Sequence, residues 1–290
     1  DLPFPLHLRS AHRYLMDNSW VQAEHEQRKE KRKHKYSEGI LYVIAGSEGL
    51  SGAAILTAKA AWSAGIGAVS IITPRALLEI YEKQLIEIIK KPIGRDSDRF
   101  FKSEHLDEVL SVIREKPGKV IIGPGLGRDG STVDFVQSFL SRYEGEVLID
   151  ADAIFAMSMK GIEKPTKSDW ICTPHPGELN MLGGTVGIST DNREQAIRSL
   201  SQTFDALMVS KGEPVIMGTL QDDLYLTGYS SSFFSRAGFG DVLAGKIGAY
   251  WILNNDAVIA VSKALLDGYA KASTFSEKNE GAVPGPTDIL

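Results

Sequence analysis

The chain has one cysteine among 290 residues, Cys172. No intrachain disulfide can form, and a reducing compartment such as the cytoplasm is the expected setting. No apolar run approaches the roughly 18 residues that a membrane span requires, so a membrane is not an expected partner. The histidines are scattered, and no His or Cys cluster shows the spacing of a zinc site. Charge of either sign is not in large excess: the net charge of −5 gives no general reason to expect nucleic acid as a partner. Internal repeats are missing too. The chain begins at Asp1 with no charged-then-apolar signal behind it, and is expected to be part of something longer. What remains is an ordinary globular composition, 43% apolar and 24% charged, long enough to bury a substantial core.

Two regions separate by pattern. Residues 1–37 form a charged leader, with Arg28 to Lys35 a basic cluster that reads first as a solvated helix or hinge and second as a nucleic-acid patch. Residues 38–290 read as one domain in which short apolar runs alternate with helical ones. Runs at 40–46, 68–73, 120–122, 147–149, 170–172 and 207–209 are continuously apolar and β-branched, as buried strands are. Helical stretches are expected at 52–64, 103–115, 131–142, 152–159, 176–182, 190–203, 241–253 and 256–277. Alternation at those lengths implies right-handed crossovers and a mostly parallel sheet covered on both faces, an α/β fold. Residues 214–218 and 223–227 flank a short turn and predict an antiparallel hairpin.

The polar residues collect where the strands end. Open parallel sheets bind ligands outside the carboxyl ends of their strands. There the sequence places Gly46 to Gly52, Gly123 to Gly127, Asp150 to Ala153, Thr173 to Glu178 and Lys211 to Pro214. Each has a bland reading beside a functional one. Gly123-Pro124-Gly125-Leu126-Gly127 is a turn or a ligand loop, and it lacks the spacing of the dinucleotide fingerprint. Asp150 and Asp152 either cap the next helix or, with Glu178, hold Mg²⁺ through water. His175, between two prolines, is either a hydrogen-bonded structural ring or one presented to a pocket. Lys211-Gly212 is a surface turn or a phosphate contact. Finally, Gly238-Phe239-Gly240-Asp241 is a tight turn opening a helix. Its free N–H groups form an anion site, and Asp241 there either only complements the helix dipole or takes a proton from a substrate.

As a set in this order, the segments resemble the ribokinase-like superfamily, and within it the ADP- or ATP-dependent NAD(P)H-hydrate dehydratases. These form the C-terminal half of bifunctional NAD(P)HX repair enzymes. The likeness runs from His34-Lys35-Tyr36 and Gly39 through Gly46-Ser47, Gly52-Ala53-Ala54, Gly123 to Gly127, Asp150 to Ala153, His175-Pro176-Gly177-Glu178 and Lys211-Gly212 to Gly238-Phe239-Gly240-Asp241, and on to Leu290. It implies a three-layer αβα sandwich with a mostly parallel central sheet and an antiparallel hairpin. It also implies transfer of phosphate from ADP or ATP to the ring hydroxyl of NADHX or NADPHX, with Mg²⁺, followed by loss of phosphate. Asp241 would be the catalytic base. Lys211, Gly212, Glu213, Pro214, Val215, Gly238, Phe239 and Gly240 would hold the nucleotide. Ala53, Gly125, Gly127 and His175, with Asp241, would line the hydrate's site. A homo-oligomer, fused to or paired with an NAD(P)HX epimerase, is the expected partner state.

Two positions depart from that pattern. Phe239 puts a bulky ring between the glycines, where it is expected to narrow the phosphate pocket. Pro214 removes a backbone donor and Glu213 adds negative charge near polyphosphate. The alternatives are therefore a vitamin or sugar kinase of the same fold, or a catalytically weakened nucleotide-binding homologue.

Overall fold

The computed structural model of the chain describes residues 13–16, 39–229 and 232–290. The basic cluster at 28–35 and the His34-Lys35-Tyr36 segment lie outside the described residues. Among the described residues ten strands form one sheet: β1 (Arg13–Met16), β2 (Leu41–Ile44), β3 (Val69–Pro74), β4 (Ile89–Ile93), β5 (Lys119–Ile122), β6 (Glu146–Ile149), β7 (Asp169–Cys172), β8 (Ala206–Ser210), β9 (Ile216–Gly218) and β10 (Leu224–Thr227). Their order across the sheet is β1-β10-β9-β8-β7-β6-β5-β2-β3-β4. From β4 to β8 all pairings are parallel, whereas β9 runs antiparallel to both β8 and β10.

The apolar runs lack alternation because both faces of the sheet are covered. Tyr42, Ile44, Val120, Ile122, Val147, Ile149, Cys172 and Met208 point to one buried cluster. The residues between them, Leu41, Val43, Ile121, Leu148, Ile171, Leu207 and Val209, point to the other. Helices Leu106–Glu115, Gly130–Arg142, Asp152–Met159 and Arg193–Phe204 supply the first layer. Helices Ser51–Ser63, Phe239–Asn254 and Ala257–Lys278 supply the second. Three layers result, as the resemblance implies.

Two strands escape a reading by apolar runs, β4 and β1. The first carries Lys90, Lys91 and Pro92, and it closes one edge of the sheet. Charge and proline are what edge strands use to block further pairing, so its pattern does not look like that of a central strand. The second is four residues long and belongs to the segment read above as leader. It pairs in parallel with β10, and Tyr14 stacks on Tyr225 at 4.9 Å.

The chain builds β2, β3 and β4 outward in one direction, then returns to place β5 on the other side of β2 and continues through β8. That reversal opens a crevice at the carboxyl ends of β2 and β5. The loops from the two strands are tied across it by Gly46 N–H donating to Pro124 O at 3.0 Å and Ser47 Oγ donating to Gly125 O at 2.9 Å.

Candidate active site

Every loop singled out above and described by the structure leaves the same edge of the sheet, and the side chains fall into three adjoining groups. The first lies at the crevice. Gly125 is so close to the helix Ser51–Ser63 that a β-carbon on it would lie 2.5 Å from Leu50 O and 3.1 Å from Ala53 Cβ. Gly127 N–H donates to Asp152 Oδ2 at 2.9 Å, and Arg128 Nε donates to Asp152 Oδ1 at 2.9 Å. Ala53, Gly125, Gly127 and Asp152 therefore share one surface.

The second group is ionic and centres on Lys211. Its Nζ donates to Asp150 Oδ1 at 2.7 Å and lies 4.0 Å from Glu178 Oε2. Asp150, buried at the end of β6, also accepts from Thr173 Oγ1 at 2.6 Å. Burial works against the Lys211 ammonium, but the charges of Asp150, Glu178 and Asp241 outweigh it and raise the pKa. Glu178 is 3% exposed. Burial pushes its carboxyl up to about 7 against the pull of Lys211, with the Asp150 charge adding to the rise. Asp241 follows the same physics: burial and the Asp150 charge push it up to about 7, and Lys211 opposes them.

His175 caps the helix Pro176–Val186. Its Nδ1 accepts from Gly177 N–H at 2.9 Å and Glu178 N–H at 3.3 Å, while Glu178 Oε2 accepts from His175 N–H at 2.8 Å. Those bonds commit Nδ1 as acceptor, so the neutral ring carries its proton on Nε2, 3.3 Å from Glu178 Oε1. Burial and the Lys211 charge lower the ring's pKa, which keeps it neutral near pH 7. The ring is half-exposed, and its Nε2 proton lies near Glu178 Oε1, from where it can be shared with a ligand acceptor.

The third group is the glycine turn and its cavity. Gly238 is the N-cap of the helix Phe239–Asn254, with φ of +98°, a conformation that favours glycine. Val242 N–H donates to Gly238 O at 3.1 Å, the first helical bond, so the N–H groups before it are available to an anion. Lys211 Nζ stands 3.6 Å from where a β-carbon on Gly240 would be, which joins the ionic group to the turn. A cavity of about 320 Å³ opens there, lined by Lys211, Gly212, Glu213, Val215, Phe239 and Gly240. Its wall also includes Tyr229, Phe234, Leu243, Lys246, Leu265 and Ile289.

Pro214 is not in that lining. It faces a neighbouring surface, where its carbonyl accepts from Arg193. Phe239 is 4% exposed, edge-on to Phe234 at 5.3 Å and packed with Ala60, Val242, Ala272 and Ile289. Its bulk therefore forms cavity wall and core beside the turn. Thr173 and Lys246 were given no role from the sequence. Lys246 carried a signal, being the one cation inside an otherwise apolar helix, Val242 to Leu253.

Asp150, Asp152 and Glu178 already hold protein donors. Among the described residues, Asp98, Glu104 and His105 are a trio with ligand atoms within 4.8 Å of one another. His105 Nδ1 accepts from Lys102 N–H, so its other nitrogen carries the proton facing Asp98. That ring has no lone pair to give a metal, and the trio is structural.

A mostly parallel sheet between helical layers, with an antiparallel hairpin at one side and a glycine turn opening a helix beside a cavity, is a ribokinase-like fold. The comparisons agree. A structure of the ADP/ATP-dependent NAD(P)H-hydrate dehydratase from Bacillus subtilis, co-crystallised with ATP and Mg²⁺, superposes with a TM-score of 0.73 at 22% identity, covering 89% of this chain and 88% of that one. A hypothetical protein from Streptococcus mutans gives 0.78 at 22% identity, with 95% of each chain covered. The family described as NAD(P)H-hydrate dehydratase matches residues 41–288, and the chain belongs to that family. The bifunctional NAD(P)H-hydrate repair enzyme Nnr of Salinibacter ruber is 27% identical over 89% of this chain and 48% of its own length. That of Methanocaldococcus jannaschii is 29% identical over 93% and 50%. The chain thus spans about half the length of the curated relatives it matches.

Proposed function

We propose that this chain dehydrates NADHX or NADPHX to NADH or NADPH, using ADP or ATP as phosphate donor. The observation that carries the reading is the position of Asp241. Its carboxyl, raised to about 7 by burial and the Asp150 charge and opposed by Lys211, is carried between Gly240 and Val242, two residues of the cavity wall. The nucleotide lies in the cavity with its phosphates against the N–H groups of the Gly238–Gly240 turn and Lys211. The hydrate lies along Ala53, Gly125, Gly127 and His175. Ionised Asp241 takes the proton of the ring hydroxyl as that oxygen attacks the terminal phosphorus, and Lys211 offsets the charge gathering on the phosphoryl oxygens. The P–O bond to AMP or ADP breaks as the new one forms; phosphate then leaves the ring carbon, a proton leaves the adjacent carbon to solvent, and the ring double bond is restored. His175, fixed as a donor, orients the hydrate.

Mg²⁺ suits this donor set only as an ion carried by the nucleotide. Asp150 and Glu178 would hold it through water, and it would neutralise phosphate charge. Residues 38–290 make up the catalytic domain, the dehydratase half of a protein whose other half is an NAD(P)HX epimerase, working in the cytoplasm. No helix among the described residues is long and apolar enough to cross a membrane.

The test is recovery of NADH absorbance from NADHX with ADP or ATP and Mg²⁺. Asp241→Asn is expected to lower the rate by at least about 10²-fold. Inactivity of well-folded protein with either nucleotide sinks the reading. A stable phosphorylated alcohol without NADH recovery would instead make the chain a kinase.

A further inference from the structure

Lys246 is 1% exposed, on the helix that Asp241 opens, and its Nζ donates to Asp267 of the following helix. It forms part of the cavity wall, with Leu243, Ala264, Leu265 and Gly268, on the same helix as Gly240. The six residues from Gly240 to Lys246 span about 9 Å of helix axis, the reach of a ribose with its first phosphates. An ammonium has three donors, and Asp267 is the acceptor the structure gives it. The surrounding wall is otherwise apolar and partly aromatic, with Tyr229 and Phe234 contributing rings. Asp267 offsets the charge of the buried ammonium, and the donors that remain on it suit a ligand acceptor in the cavity.

We infer that Lys246 is the base-reading residue of this cavity, donating a hydrogen bond to a ring nitrogen of a purine held against Tyr229 and Phe234. This rests on the nucleotide reading given above. Apolar walls hold any flat ring, so without Lys246 the cavity grips a base but does not select one. With it, a base carrying ring acceptors is preferred over a ring of the same shape that has none.

The experiment is calorimetric titration of the full chain with ATP, with the triphosphate of an indole nucleoside, and with tripolyphosphate. The indole ring keeps the stacking face but offers no acceptor. Unaltered protein is expected to bind ATP about tenfold more tightly than the indole nucleotide. Lys246→Met is expected to bind the two equally, with tripolyphosphate affinity unchanged because the phosphate end is intact. Equal binding of ATP and the indole nucleotide by unaltered protein overturns the inference even if the variant does not fold. Undiminished ATP affinity in a folded Lys246→Met protein overturns it as well. If unaltered protein binds tripolyphosphate but no nucleotide, the nucleotide reading of the cavity fails and Lys246 falls with it.

Discussion

Asp241 shows at the scale of one residue how the site is tuned. Its carboxyl is about 7 in the fold against an ordinary 3.8, so the base form accumulates only as pH rises through neutrality. kcat/KM is expected to climb from pH 6 to pH 8 with an apparent pKa near 7, a limb shared with Glu178 because both acids surround one ammonium. A flat profile over that range would speak against Asp241 as base. The same shift bears on stability. A fold that raises a carboxyl's pKa binds its proton more tightly than the unfolded chain does. The benefit is complete below about pH 4, is lost as pH rises to about 7, and is then absent. Asp241→Asn should therefore melt several degrees higher at pH 8, for about 1–3 kcal/mol, with the difference vanishing near pH 4. Asp241, Lys211 and His175 could be picked out in the sequence because turns and prolines frame them. Lys246 and Thr173 could not be given a role, since their meaning comes from partners 21 and 23 positions away, Asp267 and Asp150.

Among elements, the contact between helices Ser51–Ser63 and Phe239–Asn254 sets where the glycine turn stands. Gly245 makes that contact close: a β-carbon there would fall 2.2 Å from Thr57 O and 3.0 Å from Ala61 N, both backbone atoms that cannot swing aside. Gly245→Ala is expected to destabilise by about 1–3 kcal/mol, although alanine is ordinarily the better helix former. Gly184, in helix Pro176–Val186, faces open space, and Gly184→Ala should stabilise by up to about 1 kcal/mol. Melting curves of the two variants should move in opposite directions; movement in the same direction refutes the packing account. Such contrasts are not written in local sequence, since what faces each glycine comes from another part of the chain. The central strands were legible for the opposite reason: burial on both faces leaves continuous apolar runs, whereas β4, with its lysines and proline, is written in the chemistry of an edge.

For the whole molecule, one edge of the sheet is β1. β1 comes from the start of the chain and covers β10, with Arg13 bonded to Glu194 at 2.6 Å and Met16 buried against Ser262. Removing residues 1–37 uncovers the β10 edge while leaving the cavity and the ionic group in place. The shortened protein is expected to melt several degrees lower and to associate more readily, with nucleotide affinity kept. Loss of nucleotide binding would show that the first residues shape the site. The order of loops around the crevice could be read from the strand pattern, because a parallel sheet sends its connections to one edge. The far wall of the cavity could not, because it is assembled from the last two long helices and the chain's closing residues.

The crowding of acids around Lys211 makes ligand capture a protonic event as well as an electrostatic one. A polyphosphate arriving beside Glu178 and Asp241, each half-titrated near neutrality, strengthens their hold on hydrogen ions. Binding at pH 7 should then withdraw about half a hydrogen ion or more from the medium. Heats measured in buffers of different ionisation enthalpy would reveal it as a slope, and a zero slope would mean that the acids never sense the incoming charge.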